Sequence, residues 1–211
     1  ASYAMKGLGI YLTALRTDNM DFRTKRTAVS NNNLINFIPT LTREHTYALP
    51  SMYPYASQPL GQIGFQAQVN YQIPKKTKIG GKYGTDISIN YSRIHGIKQH
   101  LVAEAIEAGN DMSGTDGYTS PFFGFGELYF QDLNIEISRK FTKSWKLALS
   151  YVFLTYNQSV IEGHTGEPEV QSHTVIADLT YKINNKHALR LELQHMYAKK
   201  EANEGSNANK G

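Results

Sequence analysis

Residues 62–73 alternate without a slip. The odd positions are Ile63, Phe65, Ala67, Val69, Tyr71 and Ile73, and the even ones are Gln62, Gly64, Gln66, Gln68, Asn70 and Gln72. In a strand, successive side chains point to opposite faces; a helix would scatter these residues all round. The segment is therefore predicted as a strand with one apolar face and one amide face. The same period recurs at 8–15, 83–92, 129–138, 145–155, 173–183 and 187–197. Seven such segments predict an antiparallel all-β protein.

The predicted connections are unequal. Residues 74–84, 139–144 and 184–186 are short links, whereas 95–126 and 157–171 are long. Short and long links alternate, which places the short ones at one end of the strands and the long ones at the other. Residues 18–60 read as one long excursion at the loop-rich end, with a hairpin or a folded-in plug. Pro39, Pro50, Pro54 and Pro59 punctuate that stretch and argue against a further spanning strand at 35–50. A short helix is expected at 100–109, and 199–211 reads as loop or a truncated end.

Composition narrows the class. With 211 residues the chain holds one large domain or two small ones, and it is read here as a single β-domain portion over 1–211. There are no cysteines, so neither a disulfide framework nor a thiolate metal site is available. No run of 18 apolar residues exists, which removes membrane helices but not membrane strands, about 9–11 residues long and only half apolar. The 14 tyrosines outnumber the 9 phenylalanines, as suits surfaces with one dry side and one wet side. The net charge of +4 is spread along the chain with no basic stretch interleaved with aromatics, so nucleic acid is not an expected partner.

The polar face decides which solvent each side meets. It carries Gln66, Gln68, Asn70, Asp86, Ser88, Asn90, Asp132, Asn134, Glu136, Asp178, Lys182, Arg190 and Glu192. Few of these are the long Lys and Glu side chains that coat a soluble surface. The other face carries Phe65, Val69, Tyr71, Ile87, Ile89, Leu133, Ile135, Leu147, Leu149, Leu179, Leu189 and Leu191, with Trp145 and Tyr197 near segment ends. Alternating strands, aromatic ends, short turns on one side and long loops on the other predict an up-and-down transmembrane β-barrel of the outer-membrane kind. Lipid offers no hydrogen bonds, so its strands close into a ring, with the first set of residues toward the lumen and the second toward lipid. Seven strands do not make the even count usual in bacterial barrels. The reading therefore expects a longer natural protein, or a second chain completing the wall.

Three segments carry a resemblance: REHTYALPSMYPYASQPLGQIGFQAQVNYQIPKKTKIGGKYGTDISINYS (43–92), YFQDLNIEISRKFTKSWKLALSY (129–151) and ADLTYKINNKHALRLELQHMY (177–197). They resemble a family of uncharacterised outer-membrane β-barrel proteins of the Bacteroidetes type, over roughly residues 34 to 198. The resemblance implies a fold, a location in the bacterial outer membrane and a further barrel portion after the position of LQHMY. It implies no reaction and no catalytic residues.

Direct chemical motifs are few. Residues 109–117, GNDMSGTDG, hold Asp111, Ser113, Thr115 and Asp116 but lack the terminal glutamate of a calcium loop. His95, His100, His164, His173, His187 and His195 lack metal-ligand spacing. GGKYG (80–84) precedes a predicted strand rather than a helix, unlike a phosphate loop. No catalytic set, metal or cofactor is expected. The functional expectation is a porin-like channel passing a small solute, or a structural component of an envelope complex, with the lipid bilayer and envelope proteins as partners. The alternative is a soluble β-barrel or sandwich that binds an apolar ligand, with the faces inverted.

Overall fold

The computed structural model describes residues 1–25, 27–28, 32–102, 117–163 and 166–201. It is an antiparallel all-β structure with nearly no helix among the described residues. The strands are β1 (Ser2–Met5), β2 (Leu8–Asp18), β3 (Gly61–Ile73), β4 (Thr85–Ile97), β5 (His100–Leu101), β6 (Tyr118–Thr119), β7 (Phe125–Lys140), β8 (Trp145–Asn157), β9 (Glu169–Lys182) and β10 (Ala188–Glu201). Eight form one sheet in the order β1-β2-β3-β4-β7-β8-β9-β10, and β5 and β6 make a separate small ladder. The sheet is not closed.

The seven predicted strands are all present. The eighth, β1, is a correction. Its four residues join β2 through Lys6 and Gly7, the latter at φ 80°, a conformation glycine adopts without cost. Strand ends also shift. His95–Ile97 extend β4 and Phe125–Gly126 open β7, so both leave the predicted loop 95–126. Asp18 likewise closes β2 rather than opening the excursion. His100–Leu101 are strand rather than the start of a helix; residues 103–109 of that expectation, and most of the 109–117 motif, lie outside the described residues.

From β3 onward the six long strands run 13 to 16 residues, against a usual five or six or so in globular sheets. Each pairs antiparallel with its neighbour, and apart from register shifts around His95 where β4 meets β7, one face carries the odd positions of β3, β4 and β7 to β10, and the even positions of β2. Residues 41–55 lie over the opposite face. There Leu41 and Tyr55 pack with Ile94, Phe130, Leu154, Tyr156 and Val170 into the main core cluster.

Candidate functional site

Because directly paired residues share a face, register assembles the two walls row by row. The odd face begins, on the long-loop side, with a polar row of Arg93, Gln131, Thr155 and Gln171. Next comes Tyr91–Leu133–Phe153–His173–Tyr197, then Val69–Ile89–Ile135–Tyr151–Val175–His195. Tyr71–Ile87–Ile137–Leu149–Ala177–Leu193 and Leu147–Leu179–Leu191 follow. Trp145–Tyr181–Leu189 ends the band, with the first two ring centroids 4.5 Å apart. From Phe153 to Trp145 is eight residues, or about 27 Å along the strand.

This apolar band is open to solvent. Leu149 is 46% exposed, Val175 54%, Leu191 54% and Ile89 38%. Phe65, Tyr71 and Leu189 are exposed too; Val69, Ile87, Leu133, Ile135, Leu147 and Leu179 are half-buried, shielded by their neighbours in the sheet. The polar face behaves oppositely. Asn90, Ser92 and Asp132 are wholly buried, and Asn134, Ser150, Ser172 and Thr174 nearly so. Gln66, Gln68, Ser88, Glu136 and Asp178 are half-buried. Asn70, Asp86, Lys182, Arg190 and Glu192 are exposed, toward the short-turn end and on β10, the last strand of the sheet.

Cross-strand partners stitch this face together. Gln66 Nε2 donates to Asn90 Oδ1 at 2.8 Å, and Gln72 Nε2 to Asp86 Oδ1 at 2.9 Å. Arg190 bridges Asp178 at 2.6 Å and Glu192 at 2.9 Å. Two further acids take partners from the covering segment. Arg43 NH2 donates to Glu136 Oε2 at 3.1 Å, and His45 Nε2 meets Asp132 Oδ2 at 2.9 Å. Asn134 Nδ2 lies 3.4 Å from His45 Nδ1, and the Leu49 backbone N–H donates to Gln194 Oε1 at 3.0 Å. Burial, then the charges of Asp178 and Glu136, push the Tyr47 phenol above its ordinary range. At the top of the segment, Tyr55 donates to Gln62 Oε1, which also accepts from the Gln58 backbone N–H at 2.9 Å.

Sequence reasoning placed the polar strand residues on one side but singled out neither Arg43 nor His45. They lie in a segment without periodicity, and their partners are 93 and 87 residues away. It also treated the even face as uniformly polar. Near the long-loop end that face turns apolar at Ile94, Phe130, Leu154 and Tyr156. The visible signal is YVFLTY (151–156), apolar at both parities except Thr155, hence without a wetted polar face.

Both ring nitrogens of His45 are engaged by Asp132 and Asn134, so the pair has no nitrogen left to serve an attacking hydroxyl. Among the described residues no group of three or more His, Cys, Asp and Glu is placed to hold a metal ion. A cavity of about 290 Å³ opens on the polar face, with Asn70, Gln72, Asp86, Ser88, Glu136 and Ser138 among its lining residues. Segment 41–55 covers one half of the polar face and leaves the other half hydrophilic; no assembled reaction centre stands among the described residues.

A family model described as a family of unknown function, DUF6029, matches residues 1–209. No curated protein and no solved structure matches the chain.

Proposed function

Since the chain belongs to DUF6029, a family whose function is unknown, its role must come from its own walls, and we propose that it is a bacterial outer-membrane β-barrel protein acting as a stoppered structural component of the envelope. One observation carries this reading. The exposed face is the apolar one, over six adjacent long strands, and the buried face is the one bearing amides, hydroxyls and carboxylates. Water favours the reverse: a soluble sheet buries its apolar face and wets its polar one. Hydrocarbon around the wall and polar packing within it reconcile the two faces.

Three features add support. The apolar band is bounded by aromatic rows, as at a membrane's two interfaces. The strand lengths suit tilted crossings of a bilayer. The edges of β1 and β10 have no partner among the described strands, and in lipid an edge must be paired, so the sheet is read as part of a closed ring. Segment 41–55 on the polar face favours a structural role over a general porin. Recovery in the outer-membrane fraction and heat-modifiable migration on a gel are the expected results. Recovery in the soluble fraction without detergent would end the proposal and favour a soluble binder of apolar ligands.

A further inference from the structure

The basic residues are scattered in sequence from Lys6 to Lys210, yet the topology gathers half of them at one end. Antiparallel neighbours join at that end through 6–7, 74–84, 139–146 and 182–187 (links plus flanking strand ends). One basic residue lies in the first stretch, four in each of the next two and two in the last. That is 11 of the chain's 22 lysines and arginines, and none of its 18 acids falls in these stretches. All but the half-buried Arg139 are exposed.

The rim adjoins the lower aromatic row of the apolar band. Trp145 and Tyr181 stand there, with the Arg139 guanidinium 5.5 Å from the centre of the Phe141 ring and Lys82 Nζ 5.7 Å from that of Tyr83. Amphipathic rings settle at headgroup depth, and long basic side chains beside them reach the same layer. A cation near an anionic surface gains about fivefold in local affinity.

We propose that this rim docks the anionic phospholipid headgroups of the adjoining leaflet. The proposal rests on the membrane reading above. Its position along the edge of an exposed apolar band favours headgroups over an acidic protein, because headgroups flank such a band on every side.

Trp145 is the sole tryptophan and stands in the rim's aromatic row, so it reports on this site directly. The purified chain is reconstituted in mixed phosphatidylcholine and phosphatidylglycerol vesicles, with bromine on one lipid or the other. Quenching of Trp145 roughly twofold or more stronger with brominated phosphatidylglycerol is expected. Lys75→Gln, Lys78→Gln, Lys143→Gln and Lys186→Gln combined bring the two arms level, with the far-UV spectrum unchanged. Equal quenching in both arms of the unmodified chain overturns the headgroup assignment and points to an acidic protein instead. Quenching in neither arm strikes the membrane reading itself.

Discussion

At the scale of single residues, the contact between the covering segment and the wall turns on His45. It supplies the described partner of Asp132, whose side chain is wholly buried and whose Oδ1 finds no other. His45→Ala leaves that carboxylate stranded. The expected loss is about 1.5–3 kcal/mol, the worth of a hydrogen bond to a charged group. A lower urea midpoint in detergent reads it, and adding Asp132→Asn recovers part of it. An unchanged midpoint would mean that 41–55 does not sit on the wall. Tyr55 gives a pH prediction. Burial first, then the nearby Tyr129, holds its phenol above the ordinary value of 10.0. The unfolded chain therefore releases this proton first, so stability is flat below about pH 10 and falls as pH rises beyond it. Tyr55→Phe is expected to cost about 1 kcal/mol near neutrality and to flatten that alkaline fall. Unfolding free energies measured at about pH 8 and about pH 11 check both parts. Neither residue was legible beforehand, because only a period makes a face readable in sequence, and 18–60 has none.

Among the elements, legibility was high wherever the period of two ran long enough. All seven long strands follow from parity, and so does the face each residue takes, except around His95, where register shifts between β4 and β7 break the alternation. The four-residue β1 is too short for a pattern to show, and the apolar end of the even face was hidden by reading each strand as having one dry side. That apolar end becomes intelligible only with Leu41 and Tyr55 lying against it. The exposed band of β8 tests which solvent the strands meet. Leu149→Arg is nearly neutral if the face is wetted, within about 0.5 kcal/mol for a surface change. At the middle of a bilayer the same substitution costs about 2–4 kcal/mol. The larger loss is expected, measured as folded fraction in phosphatidylcholine vesicles across a urea series. Ser150→Ala on the opposite face of the same strand serves as the control. A neutral Leu149→Arg would place water, not lipid, against this wall.

For the molecule as a whole, the covering segment constrains the size of the ring. Eight strands enclose an interior just wide enough for their own side chains. Here the even face already carries those side chains and, on top of them, Leu41, Arg43, His45 and Tyr55. A ring formed by joining β10 directly to β1 would leave no room for that second layer. The closed wall is therefore expected to hold more than eight strands, the additional ones entering beside β10. Parity fixes their direction: β10 runs from the short-turn end toward the long-loop end, so its antiparallel neighbour descends from the loops. The chain has no cysteines, which makes disulfide trapping free of background. Tyr3→Cys combined in turn with Leu189→Cys, Leu191→Cys and Leu193→Cys is expected to give no crosslink within one chain under oxidation in membranes. A crosslink in any of the three would show an eight-stranded ring, and would force 41–55 out of its interior.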